Sequence, residues 1–451
     1  MTNAAALWGD ETAAVAAVLA WADARVTAAS DPKATARPAS ELAAATGPTI
    51  TPHGIGVDEA LRIFTDVLVP ATRAQDDPMN LAYVPTAPTR SAIAFDLAVS
   101  AATIFAGTWE AGAGAIHAEN QAIAWLVELL GWPATAGGCF VSGGTTGNLS
   151  ALVTARHAAE AAHGRPARWK LAATGDAHSS VRSAARVMDI EIVDVEGDDR
   201  GRLTGAGLER ALARADDGDG VFAVVASGGT TNAGVVDELD RVADVCGARG
   251  IWLHVDGAYG GAALAAPSAR ARFSGIERAD SFVVDPHKWL FAPYDCCALV
   301  YRDPSVAQPA HTQRASYLEL IDHDEWNPAD YAVHLSRRPR GLPFWFSLAV
   351  HGTDRYRAAV ESALDTARAV ACYIAAQPHL ELIMEPDLSV LLFRRVGWTA
   401  EQYQRWSTEC AHAGTILCVP TRWKGETMLR LVFVNPATQP AAVCAVLDSL
   451  A

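Results

Sequence analysis

Lys288 closes the stretch Ser281-Phe-Val-Val-Asp-Pro-His-Lys-Trp289. The apolar run reads as a buried strand that delivers His287 and Lys288 at its end. Burying an ammonium there is costly unless it is neutralised or bonded. A Schiff base with an aldehyde cofactor is one solution; a lysine turned to water is the plain alternative. Earlier, Trp252-Leu-His-Val-Asp-Gly-Ala-Tyr259 ends a second apolar run on Asp256. A carboxylate placed so can keep a heterocyclic nitrogen protonated, or simply cap a following helix. Ala258 is small, so a planar ring can pack on it.

The third stretch is Val141-Ser-Gly-Gly-Thr-Thr-Gly-Asn148, followed by Leu149, Leu152 and Val153. It reads as a strand, a Gly/Thr turn and a helix. Free backbone N–H groups and the helix dipole at Gly144, Thr145 and Thr146 attract a phosphate. The spacing is neither G-x-G-x-x-G nor Walker A. His178, in Gly175-Asp-Ala-His-Ser-Ser180, lies between a strand and a helix, where it stacks on a ring or caps the helix. Thr231, in Ser227-Gly-Gly-Thr-Thr231, is either a cofactor contact or part of a turn bonded to its own backbone. A reactive lysine, a carboxylate for a ring nitrogen and a phosphate cradle, all at strand ends, together describe a site for pyridoxal 5'-phosphate (PLP).

Periodicity shows which elements carry these residues. Between residues 90 and 305, apolar runs alternate with helical text: Cys139–Val141, Lys170–Ala173, Ile190–Val195, Val221–Ser227, Ile251–Val255, Ser281–Val284 and Cys297–Tyr301. Strand–helix–strand order implies an α/β fold with a mostly parallel sheet covered by helices and the ligand along one edge. One helix is expected after Asp10 and another over 57–69, with turns and extended chain across 31–56. Residues 305–343 read as a long surface segment. Beyond 344, two helical patterns and the runs Glu381–Met384, Ser389–Arg394 and Met428–Val434 suit a small α+β domain.

The 451 residues suffice for two or three domains or one lobed enzyme. A net charge of -15 argues against nucleic acid or an anionic membrane as partner. No apolar run approaches the ~20 residues that span a bilayer, and Met1–Asp10 shows no signal-peptide pattern. Eight cysteines without metal spacing suit a reducing cytoplasm, and no metal site is expected.

Asp176-Ala-His-Ser-Ser-Val181, Trp252-Leu-His-Val-Asp256, Ala279-Asp-Ser-Phe282 and Pro286-His-Lys-Trp-Leu290 resemble, in order, the group II PLP-dependent amino acid decarboxylases, nearest the aromatic-L-amino-acid branch. The resemblance covers roughly residues 60 to 435. It implies PLP fold type I, with a mostly parallel seven-stranded sheet between helices and a small C-terminal α+β domain. It also implies a homodimer with shared active sites. The expected parts are a helical dimerisation segment 1–75, a PLP domain 76–310, a catalytic loop and interface segment 311–343, and a C-terminal domain 344–451. By the same resemblance Lys288 carries PLP, Asp256 meets the pyridine nitrogen and His178 stacks on the ring. Gly144, Thr145 and Thr146 hold the phosphate, Thr231 and His287 flank the cofactor, and Ser336 reaches the partner subunit's phosphate. Tyr317 is the loop tyrosine that protonates the substrate carbon.

Ala82-Tyr-Val-Pro-Thr86 resembles the aromatic branch's pocket segment, so Tyr83, Val84, Pro85 and Thr86 are expected to meet the substrate. Val84 stands where that branch has phenylalanine, and Asp76 or Asp77 falls near its tryptophan. Asp285 replaces an asparagine often found before Pro-His-Lys, and an aspartate near a phosphate repels it unless turned away or paired. The expected reaction turns an L-amino acid, most readily an aromatic one, into its amine and CO2. The alternatives are aldehyde formation, transamination with Arg430 as the candidate carboxylate holder (a structural ion pair is the favoured reading of that arginine), or an aliphatic or acidic substrate.

Overall fold

The computed structural model describes residues 11–215, 220–313 and 325–451. Seven strands build the larger sheet: β1 (Gly137–Val141), β2 (Lys170–Thr174), β3 (Glu191–Val195), β4 (Val221–Ser227), β5 (Trp252–Asp256), β6 (Ser281–Val284) and β7 (Cys297–Tyr301), in the order β1-β7-β6-β5-β4-β2-β3. β7 alone runs against its neighbours; the others point one way. The expected mostly parallel sheet is therefore present, and each of the seven apolar runs is a strand to within two residues at either end. β4 and β6 are buried along their whole length, which accounts for their unbroken apolar text.

The register brings the strand ends level. Ser227 pairs with Asp256, and Asp256 with Val283. The segments that leave β1, β2, β4, β5 and β6 therefore gather along one edge. After β1 comes the helix Gly144–His163. A Cβ on Gly147 would lie 2.7 Å from Val283 Cγ1 and 3.2 Å from Cys297 Sγ, so only glycine lets the start of this helix press onto the sheet.

A second sheet contains β8 (Leu380–Leu382), β9 (Val390–Arg395), β10 (Val419–Trp423) and β11 (Glu426–Val432), all antiparallel, in the order β10-β11-β9-β8. The main core runs from the large sheet to Leu388, Val390, Val432 and Val434 beside this second sheet. Leu81 belongs to the second sheet's own core.

Three readings need correction. Residues 31–56 hold a helix, Ala39–Thr46. The helix expected over 57–69 is α-helical only to Ile63 and continues as a π turn over Phe64–Leu68. The segment 305–343 is not a surface piece throughout, since Ala329, Tyr331, Ala332 and Arg337 are buried. The Arg337 guanidinium donates to Glu119 at 2.6 Å and to the Ala106 carbonyl, and Glu119 also accepts from the Gly341 amide. Removing one partner of such a buried pair costs about 3–5 kcal/mol, so this pair pins the segment to the helix Trp109–Leu130.

Candidate active site

The gathered strand ends enclose a cavity of about 300 Å³ lined by Ser142, Gly143, Gly144, Thr145, Asn148, His178, Asp256, Ala258, Asp285, His287, Lys288 and Tyr294. Seven residues expected at the site (Gly144, Thr145, His178, Asp256, Ala258, His287 and Lys288) are thus brought together. Thr146 is not itself in this lining but shares a hydrogen bond with Ser142, which is. Thr231 stands outside this lining, as do Tyr83, Val84, Pro85 and Thr86. Ser336 is exposed and lines no part of its own chain's cavity. Tyr317 lies outside the described residues.

Lys288 sits in a single helical turn, Pro286–Trp289, directly after β6. Its Nζ lies 2.8 Å from Asp285 Oδ2. Burial disfavours the ammonium, but the Asp285 charge outweighs it and raises the lysine's pKa above its usual range. Burial likewise disfavours the Asp285 carboxylate, yet Lys288 and His287 hold it below the usual range. His287 Nδ1 accepts from the Cys296 amide at 3.0 Å. Burial lowers the His287 pKa, so the neutral ring turns Nε2–H toward Asp285, 3.5 Å away. The ring packs against Tyr294, with centroids 4.7 Å apart.

Asp256 is placed by a buried chain of hydrogen bonds that sequence reading missed. Trp252 Nε1 donates to Ser281 Oγ at 2.8 Å, and Ser281 donates on to His254 Nδ1 at 2.8 Å. Burial holds His254 neutral, its pKa pushed down to about 4. Its one proton therefore sits on Nε2 and goes to Asn148 Oδ1 at 2.9 Å. With that oxygen engaged, Asn148 Nδ2 donates to Asp256 Oδ2 and to Ser180 Oγ, both at 2.8 Å. Ser180 then donates to His178 Nδ1 at 2.8 Å, which leaves the proton of a neutral His178 ring on Nε2. Asp256 Oδ1 accepts from the Ala258 amide at 3.1 Å. His178 also caps the helix Ser179–Met188, so it both caps and lines the cavity. Asn148 drew notice only as the end of the Gly/Thr motif. Its partners His254 and Asp256 lie over a hundred residues away, and no local pattern marks them.

The segment 82–86 packs between the second sheet and the turn after Lys288. Thr86 Oγ donates to the Ala292 carbonyl at 3.1 Å. Arg430, on β11, donates to the carbonyls of Tyr83 at 2.8 Å and Thr231 at 2.6 Å and forms no ion pair among the described residues. The structural ion pair expected of Arg430 is therefore absent among the described residues, and the guanidinium instead bridges two backbone carbonyls. Asp76 is taken by Arg25 at 2.9 Å and by Ser30, and Asp77 accepts from the Met79 amide. Neither faces the cavity.

These residues fit PLP. The chain has four lysines, Lys33, Lys170, Lys288 and Lys424, and only Lys288 meets the cavity. Asp256 offers an acceptor to a ring nitrogen. The Gly144 turn is a cradle that a side chain would fill, because a Cβ there would lie 3.0 Å from Ala258 Cβ.

Comparison with known proteins agrees. The pyridoxal-dependent decarboxylase conserved domain matches residues 55–396. The aromatic-L-amino-acid decarboxylase of Bacillus atrophaeus is 32% identical over 377 residues, 80% of this chain and 78% of that one. The L-2,4-diaminobutyrate decarboxylase of Rhizobium meliloti is 31% identical over 373 residues, 80% of this chain and 74% of that one. The crystal structure of Oryza sativa TDC with PLP and tryptamine superposes with a TM-score of 0.88 at 24% identity, covering 100% of this chain and 97% of that one. With its lysine, carboxylate and glycine turn on one sheet edge, this chain belongs to the pyridoxal-dependent decarboxylases and is a PLP-dependent amino acid decarboxylase.

Proposed function

We propose that the substrate is an aromatic L-amino acid, released as the corresponding amine and CO2. The observation that carries this reading is the uncharged run Tyr83, Val84, Pro85 and Thr86 at the side assigned to the substrate. That run carries no ionised group, Asp76 is paired with Arg25, Asp77 accepts from the nearby Met79 amide, and Arg430 turns its Nη2 to the Tyr83 and Thr231 carbonyls. An ionised side chain packed on that run would be desolvated with no charged partner from the run itself, which is costly.

In this reading Lys288 holds the cofactor covalently and Asp256 faces its pyridine nitrogen. Gly144, Thr145 and Thr146 receive the phosphate, His178 covers the ring, and Ala258, His287 and Thr231 flank it. Bound PLP supplies an electron sink for the pair left when the Cα–carboxylate bond breaks. Asn148 keeps Asp256 turned as an acceptor, so the ring nitrogen retains its proton. His178 presents Nε2–H to the cavity. Tyr317 delivers the proton to Cα, by the family resemblance. The segments 1–75, 76–310, 311–343 and 344–451 serve as dimerisation arm, PLP domain, catalytic and interface segment, and small domain. The exposure of Ser336, away from its own cavity, supports a homodimer in which it serves the partner's phosphate. The eight unpaired cysteines suit a cytoplasmic protein.

The test is to give the PLP-loaded protein each of the twenty L-amino acids and L-DOPA while tracking CO2, amine and peroxide. Equal CO2 and amine from aromatic substrates is expected. Turnover confined to aliphatic, acidic or basic substrates would overturn the substrate reading.

A further inference from the structure

Asp285 takes no part in the chemistry assigned to Lys288, Asp256 and His178, yet it stands inside the phosphate cradle. It is 2% exposed. A Cβ built on Gly144 would lie 3.3 and 3.5 Å from its two carboxylate oxygens. The carboxylate therefore faces the first residue of the helix Gly144–His163. Oδ2 is held by Lys288 at 2.8 Å, with His287 Nε2 at 3.5 Å. Oδ1 is buried and has no N–H or O–H partner among the described residues. From the 294–297 strand end, Tyr294 and Cys296 act on it and the Cys297 thiol is a weak S–H donor to the carboxylate; burial keeps both thiols neutral. Asp256, from β5, acts on the same Lys288. Lys288 is thus the one cation facing Asp285 among the described residues.

We infer that Asp285 is a further cofactor-binding residue, which enters the PLP complex as the neutral acid and donates its proton to the phosphate. The inference rests on the phosphate lying at the Gly144–Thr146 turn. Without cofactor, the carboxylate balances the Lys288 ammonium. With PLP, the lysine nitrogen bonds to the aldehyde carbon, water leaves, and a phosphate of about two negative charges arrives beside the carboxylate. One proton drawn from solvent converts Asp285 –COO⁻ to –COOH and turns a like-charge contact into a hydrogen bond from the unpartnered edge of the carboxyl. No electrons move.

The experiment binds PLP, and separately pyridoxal, which lacks the phosphate, to the apo-protein at pH 8. Calorimetry in buffers of different ionisation enthalpy counts the protons, and infrared difference spectra watch for a protonated carboxyl. The wild type should take up about one more proton with PLP than with pyridoxal, and a protonated-carboxyl band should appear only with PLP. Asp285→Asn should remove both the extra proton and the band, and its PLP affinity should no longer fall about tenfold per pH unit relative to pyridoxal. ³¹P NMR of the bound cofactor should show the dianion.

Equal proton counts for the two ligands, no new carboxyl band in the wild type, or a monoanionic phosphate signal would each overturn the inference. The wild-type measurements stand even if Asp285→Asn does not fold. Thr145→Val separates the underlying reading. If it weakens PLP but not pyridoxal while the proton counts stay equal, the phosphate site stands and the role of Asp285 falls. If it weakens neither selectively, the phosphate site itself is misplaced and the inference goes with it.

Discussion

Replacing Asn148 by leucine keeps the branched outline and the number of side-chain heavy atoms and removes every side-chain hydrogen bond of the residue. Asn148 is fully buried and joins three partners: His254 at 2.9 Å, and Asp256 and Ser180 at 2.8 Å each. After the change, His254 Nε2–H and Asp256 Oδ2 are left buried without those partners. An unsatisfied buried group costs about 1–3 kcal/mol, and one bonded to a charge lies at the upper end. The two together predict a loss of about 3–5 kcal/mol in apo-protein stability, read from denaturant titration. Asp256 would also lose the bond that turns it toward the cavity. A bond to a charged acceptor contributes about 1.5–3 kcal/mol, so the Kd for PLP should rise about 10- to 150-fold. Asn148→Asp makes the comparison sharper. It keeps an acceptor for His254 but sets a second carboxylate against Asp256, so cofactor affinity should fall further while the His254 contact survives. If Asn148→Leu loses less than about 1 kcal/mol and binds PLP like the wild type, the hydrogen-bond chain does not position Asp256.

Two other residues give distinct outcomes. His254 is neutral when folded, with its pKa lowered by burial from 6.5 to about 4. Between those values the unfolded chain binds the proton and the folded one does not, so stability falls as pH drops from 6.5 toward 4; His254→Gln should flatten part of that fall in denaturant midpoints measured across the range, and an unchanged slope would mean His254 is protonated in the fold. By the family resemblance, Tyr317→Phe should shift product from amine toward aldehyde with peroxide, and an unchanged amine yield would remove Tyr317 from the chemistry.

Much of the fold was legible because most of the large sheet's strands are buried on both faces and bounded by turns, as at Val221–Ser227 and Ser281–Val284; the edge strand β3 is half-exposed. The misses have local causes. The helix Ala39–Thr46 hid between proline pairs, although Pro38 directly before a first turn is compatible with a helix. β10 contains Pro420, which argues against a central strand; β10 is an edge strand, where proline is tolerated. Arg337 looked like surface text because its partner Glu119 lies 218 positions away. At the site, Lys288, Asp256 and His178 were legible because each lies at or a few residues past a strand end in a recognisable motif. Asn148, His254 and Ser281 were not, because their roles exist only once β5, β6 and the helix Gly144–His163 are packed together. The sequence raised the question of Asp285 beside a phosphate, and the structure pairs that aspartate with Lys288.

Everything at this cavity depends on Lys288 carrying the cofactor. Borohydride reduction of the PLP-loaded protein, then peptide mass mapping, tests this directly, because the chain offers only Lys33, Lys170, Lys288 and Lys424 as sites. One reduced pyridoxyl group per chain is expected, on Lys288, and none in Lys288→Ala. A label on another lysine, or stoichiometric labelling of Lys288→Ala, would contradict the assignment.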